Sequence, residues 1–157
     1  MKKILIIAAL ALGVSIAANA QPRAIGARFG WATEVSYQHT LKGADFVEAN
    51  LGTFGFAGLQ VGATYNFMIA QPQWTDRGEW GFYAGPGIAL GTGFSKAYAC
   101  NFGVTGQVGL EYTFWFPLQL SVDLRPQIGI FAGSSSVKFF TGGLYGFAPT
   151  LSVRYRF

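Results

Sequence analysis

This chain reads as all-β: a closed antiparallel transmembrane β-barrel of eight strands. Three observations carry that reading. Apolar residues recur at every second position along most of the chain, the period of a pleated strand with one apolar face. Charged residues make up only 11% of the 157 residues, against about 25% in soluble domains, so a water-facing surface is hard to build from them. Gly and aromatic residues are abundant, with 22 Gly, 15 Phe, 7 Tyr and 4 Trp, yet beyond the N-terminus no apolar run reaches the ~20 residues of a membrane helix.

The first element is a leader. Met1-Lys2-Lys3 precedes an apolar run from Ile4 to about Ala18, and Ala18-Asn19-Ala20 offers small residues for cleavage. This is the order of a secretory signal, so residues 1–20 are expected to be a signal peptide and residues 21–157 a barrel domain beginning at Gln21. The run is shorter than a retained span of ~20 residues, and no Cys follows the cut to carry a lipid anchor. Without Lys2 and Lys3, nine Lys and Arg face seven Asp and Glu, a net charge of +2 rather than +4. With no basic run, this excess gives no electrostatic footprint for nucleic acid.

Strands follow in order. From Ala24 to Tyr37 the positions Ile25, Ala27, Phe29, Trp31, Val35 and Tyr37 are mostly apolar, while Arg28, Glu34 and Ser36 take the other face. Two strands must share roughly residues 22–38, short against the ~9–11 residues that a bilayer-crossing strand requires. Either the chain reverses tightly near Gly30-Trp31, or 24–37 is one long strand and a further short strand lies near Val137-Thr141. Val47, Ala49 and Leu51 then oppose Glu48 and Asn50; Leu59, Val61, Ala63, Tyr65 and Phe67 oppose Gln60, Thr64 and Asn66. Phe102, Val104, Val108, Leu110, Tyr112 and Phe114 oppose Thr105, Gln107 and Glu111, and Leu118, Leu120, Val122, Leu124 and Ile128 oppose Gln119, Ser121, Asp123, Arg125 and Gln127. Trp115-Phe116-Pro117 is expected to be a short turn, and the segments around 92–101 and 132–142 the longer outer loops. Pro86, Pro126 and Pro149 fall inside strand patterns, where each removes a ladder hydrogen bond and predicts a bulge or a strand end.

The two faces differ in kind. The charged residues well inside the strands are Arg28, Glu34, Glu48, Glu111, Asp123, Arg125, Arg154 and Arg156, and every one lies on the polar face. Four acids and four bases there predict a lumen charge network, because buried charges need partners. The rest of that face is mainly Gly, Ser, Thr, Gln and Asn, which suits the cramped interior of a small barrel. Four strand ends repeat one another: Tyr37-Gln38-His39, Tyr65-Asn66-Phe67, Tyr112-Thr113-Phe114 and Tyr155-Arg156-Phe157. They are expected to end strands two, four, six and eight at one membrane interface, where an amphipathic ring sits at headgroup level. Tyr37, Tyr65, Phe67, Tyr112, Phe114, Tyr155 and Phe157 form the expected aromatic girdle.

Several patterns that suggest chemistry have plainer readings. His39 is the only histidine, three residues after Ser36, but an activated serine also needs an orienting third group. Gly85-Pro86-Gly87-Ile88-Ala89-Leu90-Gly91 has GxGxxxG spacing with no helix following to hold a phosphate; its glycines suit close strand approach. Cys100 is solitary, so it supports neither an intramolecular disulfide nor a metal cluster. No catalytic residue, metal site or cofactor is expected.

The blocks Glu34-Val35-Ser36-Tyr37-Gln38-His39, Tyr83-Ala84-Gly85-Pro86-Gly87, Gly109-Leu110-Glu111-Tyr112-Thr113-Phe114, Pro117-Leu118-Gln119-Leu120-Ser121-Val122-Asp123-Leu124-Arg125-Pro126 and Leu151-Ser152-Val153-Arg154-Tyr155-Arg156-Phe157 together resemble the small outer-membrane β-barrel proteins of Bacteroidetes-type bacteria, across nearly the whole mature chain. The resemblance implies the architecture of OmpA- and OmpX-like barrels, residence in the bacterial outer membrane among its lipids, and insertion by the barrel assembly machinery. That machinery reads a final strand ending in an aromatic residue, here Phe157. The expectation is a non-enzymatic integral barrel with a plugged polar lumen and a structural role or a loop-mediated one, its loop partner unspecified. The alternatives are a narrow porin and an outer-membrane lipid-modifying enzyme such as a lipid A deacylase, whose motif finds no convincing match here.

Overall fold

The structure, a computed structural model, describes residues 23–30, 32–53, 58–93, 100–133, 137–141 and 148–157. The expected signal peptide, the start at Gln21 and the side chain of Trp31 lie outside them. The described residues form ten strands: β1 (Arg23–Phe29), β2 (Thr33–Thr40), β3 (Phe46–Thr53), β4 (Gly58–Ala70), β5 (Glu79–Gly93), β6 (Cys100–Thr113), β7 (Leu118–Leu124), β8 (Gln127–Ala132), β9 (Val137–Thr141) and β10 (Thr150–Arg156).

All neighbours are antiparallel, and the sheet closes into a ring of eight: β1, β2, β3, β4, β5, β6, β7 and β10, with β10 returning to β1 through Ala24↔Arg156 to Phe29↔Leu151. Both β7 and β8 pair with β6 in one continuous register, from Thr113↔Gln119 to Val108↔Leu124 and on from Thr105↔Gln127 to Cys100↔Ala132. They are two halves of one stave, parted at Arg125-Pro126 because proline has no N–H for the ladder; the Gly106 amide still donates to the Pro126 carbonyl at 3.0 Å. β9 pairs beside β8 and β10 beside β7, so these two strands together make the last stave. Around Pro86 the β4–β5 ladder likewise skips from Thr64↔Gly87 to Phe67↔Ala84.

Of the two alternatives for the first hairpin the tight reversal is the one observed, since 24–37 is not one long strand but the paired β1 and β2, although the short strand tied to the other alternative also exists. The chain does reverse tightly, with the Gly30 amide donating to the Ala32 carbonyl at 3.2 Å and Phe29 facing Thr33. A short strand also occupies Val137–Thr141, where it pairs with β8 from Ala132↔Val137 to Ile128↔Thr141. The segment 132–142 is therefore not all loop, since its backbone finds a ladder beside β8. The expected 92–101 loop narrows too, as β5 runs to Gly93 and β6 begins at Cys100; residues 94–99 lie outside the described set. Trp115-Phe116-Pro117 is a turn, tied by the Phe114 amide to the Leu118 carbonyl at 2.9 Å.

Burial is inverted relative to a water-soluble barrel. Among the described residues the buried apolar side chains are Ala24, Phe46, Tyr83 and Ala89, whereas Arg28, Glu48, Asp123, Arg154 and many hydroxyl and amide residues are buried. The apolar residues instead make a continuous outer band. Register carries it from stave to stave: Leu120, Val153, Ala27, Val35, Leu51, Val61, Leu90 and Phe102 are successive partners, and Phe82, Leu110, Val122 and Leu151 form a second such row. Both described termini lie at one end, where the Phe157 amide donates to the Arg23 carbonyl at 2.9 Å; it is called the terminus end below.

Candidate functional site: an arginine–carboxylate network in the barrel interior

Strand parity determines which side chains enter. From Ala24 in β1, and in β2, β3, β4 and β10, the even-numbered residues face inward, and in β5, β6 and β7 the odd-numbered ones do, so Arg28, Glu48, Asp123 and Arg154 converge although they come from four strands; Arg23, at the very start of β1, is buried outside this parity and lines the interior at the terminus end. At the centre Glu48 is fully buried, and its Oε1 accepts hydrogen bonds from Arg28 Nη1 at 2.6 Å, Arg154 Nη2 at 2.7 Å and Ser36 Oγ at 2.7 Å. Gln107 Nε2 donates to its other oxygen at 3.1 Å.

Each arginine spans several acceptors. Arg28 Nη2 donates to Asp123 Oδ1 at 2.5 Å, and its Nε lies 3.2 Å from Glu34 Oε2. Arg154 donates from Nε to Ser36 Oγ at 2.9 Å and from Nη1 to Ser121 Oγ at 2.7 Å. The planar guanidinium matches this work, since it presents donors in a fixed fork. Further from the terminus end, Arg125 Nη1 donates to Glu34 Oε2 at 3.2 Å and Gln60 Nε2 to Gln127 Oε1 at 3.0 Å. Toward the terminus end, Glu111 accepts from Gln119 Nε2 at 3.1 Å. Arg156 makes no ion pair among the described residues.

Of the eight charged residues singled out by sequence, six are joined through ion pairs: Arg28, Glu34, Glu48, Asp123, Arg125 and Arg154. Glu111 and Arg156 line a separate cavity nearer the terminus end. Sequence reasoning passed over Tyr83, whose hydroxyl donates to Asp123 Oδ2 at 3.3 Å, and over the roles of Ser36, Ser121 and Gln107. A signal for Tyr83 existed: in β5 the outward positions include Phe82, Ile88 and Leu90, which leaves Tyr83 in the row that after Glu79 is otherwise made of Gly81, Gly85, Gly87, Ala89, Gly91 and Gly93. Opposite it stands Gly109, where an added Cβ would lie 2.5 Å from the Tyr83 ring. Gly85 serves backbone approach instead, as its Cβ would strike the Tyr65 carbonyl.

The network's chemistry is that of mutual neutralisation. The carboxylates at its centre are held by guanidinium groups, and the Ser36 hydroxyl is engaged by both Glu48 and Arg154. His39 has the opposite parity to Ser36 on the same strand, so the two do not meet. Tyr37, Tyr65, Phe67, Tyr112, Phe114, Tyr155 and Phe157 all lie on the outer face near the terminus end, with the Tyr65 ring tilted against Phe67 at 4.8 Å between centres and Tyr112 edge-on to Phe114 at 4.6 Å. Trp74, Trp80, Trp115 and Phe116 extend one sector of that belt, and the Arg77 guanidinium lies 5.9 Å above the Trp115 ring. No protein-family model, no curated protein and no solved structure matches this chain.

Proposed function

We propose that this chain is an integral outer-membrane β-barrel protein whose polar interior is closed by its own side chains, and that it acts structurally or through its loops rather than as a catalyst. The observation that supports this most is the inverted burial: Val122 is 48% exposed while its neighbour Asp123 is 1% exposed. Soluble monomers rarely present apolar patches beyond a few hundred Å², whereas here the apolar rows circle the ring. Hydrocarbon is the surrounding that such a surface fits, and a closed ring leaves no strand edge to it. The aromatic residues at the terminus end suit a headgroup belt, and the short Trp115-Phe116-Pro117 turn at that end suits the periplasmic side. Phe157, 60% exposed directly after the last strand, suits the assembly signal that the resemblance to Bacteroidetes-type barrels implies.

The Glu48-centred bonds reach across the interior and favour a plugged barrel over a pore. The test of the membrane reading is gel mobility in mild detergent, unheated against boiled. A compact fast-migrating band that shifts on boiling supports it; folding in water without detergent to a monomer overturns it. In planar bilayers the protein is expected to give no steady conductance, and well-resolved single-channel steps would favour the porin reading instead.

A further inference from the structure

A second polar region lies inside the barrel at the terminus end, apart from the Glu48 network. It is a cavity of about 180 Å³ whose rim includes Gly43 and Ala44 of the β2–β3 turn and Gln71 after β4. Its charges are sorted by strand pair. Arg23 opens β1 and Arg156 closes the adjacent β10, whereas Glu79 opens β5 and Glu111 lies on the adjacent β6. In the ring of eight, β1 and β5 are four staves apart while only β7 separates β10 from β6, so Arg23 and Glu79 stand on opposite walls and Arg156 and Glu111 lie nearer each other between them. Between them Phe46 and Met68 contribute an apolar stretch.

Among the described residues no ion pair involves any of these four charges; the ion pairs all belong to the deeper network. Arg23 is only 4% exposed, yet its Nε has no protein partner, and neither do Gln38 Nε2 and Gln119 Oε1 in the same lining. Buried charge without a counter-group is strongly unfavourable; Arg23 and Glu111 are buried, whereas Arg156 is half-buried and Glu79 exposed, so charges of both signs line the cup without a direct ion-pair partner. An anion alone would neutralise the arginines and be repelled by the carboxylates, and a cation alone would do the reverse.

We propose that this cup binds a small zwitterion: an ammonium group against Glu79 and Glu111, an anionic oxygen group, carboxylate or phosphate, against Arg23 and Arg156, and a short apolar spacer over Phe46 and Met68. The site is built from the barrel interior and is independent of what surrounds the outer face. The guanidinium fork suits either anionic group.

Calorimetric titration of the purified folded protein tests it, with glycine, γ-aminobutyrate, ε-aminocaproate and phosphoethanolamine as probes and acetate and ethylamine as single-charge controls. The first three vary the spacer, and phosphoethanolamine separates phosphate from carboxylate recognition. At least one zwitterion is expected to bind saturably, about tenfold more tightly than either control, the factor contributed by one additional charge-assisted contact. Arg156→Gln and Glu79→Gln, each retaining the parent circular dichroism, are each expected to weaken it by about tenfold. Both residues stand at the accessible end of the cup, so neither change removes a member of the central network. The proposal is overturned by no saturable binding of any zwitterion up to about 10 mM, well above a ~1 mM dissociation constant. It is equally overturned if acetate or ethylamine alone binds as tightly as the zwitterions, or if both variants keep the parent affinity.

Discussion

Glu48 concentrates the energetics of the interior in one side chain. It is fully buried and satisfies two guanidinium groups and a hydroxyl through a single oxygen. Truncating it leaves Arg28 and Arg154 short of their shared counter-charge, so Glu48→Ala is expected to lower stability by about 3–5 kcal/mol, the range for breaking one side of a buried pair. Urea unfolding from lipid vesicles measures it, and a loss within the error of the midpoint would show that water replaces the carboxylate freely. On the opposite face, Val122 stands between Leu110 and Leu151. Val122→Arg is expected to cost about 2–4 kcal/mol in the same assay if the position lies near the bilayer midplane, while Val122→Leu stays within about 0.5 kcal/mol. Equal tolerance of both would place that face in water. At this scale the sequence revealed which charges point inward, because parity is a property of neighbouring residues. It did not reveal partners: Arg28 and Asp123 are 95 residues apart, and nothing local to either points to the other.

Strands show where period-2 reading works and where backbone chemistry interrupts it. Along β4, β6 and β7 the alternation is unbroken, and the expected faces match the burial patterns. In β5 glycine weakens the contrast between faces, so Tyr83 is marked only by the outward Phe82, Ile88 and Leu90 around it, and its inward placement depends on the space left at Gly109. Gly109→Ala is therefore expected to destabilise the barrel by about 1–3 kcal/mol through overpacking. In a Tyr83→Leu background the same change is expected to cost less, with a coupling of at least about 0.5 kcal/mol between contacting positions. Additive losses would mean that the Tyr83 ring does not occupy that space. Proline signalled the break between β7 and β8, but register alone shows that both halves remain one stave. The β9 strand is expected only as one of two alternatives, because its five residues, Val-Lys-Phe-Phe-Thr, do not alternate cleanly.

Closure is a property of the whole molecule. The first and last strands join through six residue pairs from Ala24↔Arg156 to Phe29↔Leu151, so neither is a free edge along that ladder. Amide protons of Ala27 and Val153 are accordingly expected to exchange as slowly as those of Leu51 and Val61 on the β3–β4 side, through global opening rather than fraying. Hydrogen exchange followed by NMR decides it, since a ring open at β1–β10 would show rapid exchange confined to those two strands. By itself the sequence determined the all-β class, the apolar and polar sides of most strands and the repeated aromatic endings, because each follows from residues one or two positions apart along a pleated chain. Only the tertiary structure decided how the eight expected staves are built, with β7 and β8 sharing one and β9 and β10 another, that six of the inward charges meet in one network and that Arg23, Arg156, Glu79 and Glu111 line a separate cup. Those outcomes depend on register and ring closure, which bring together residues from distant strands, and no local spacing encodes which strand will stand opposite another.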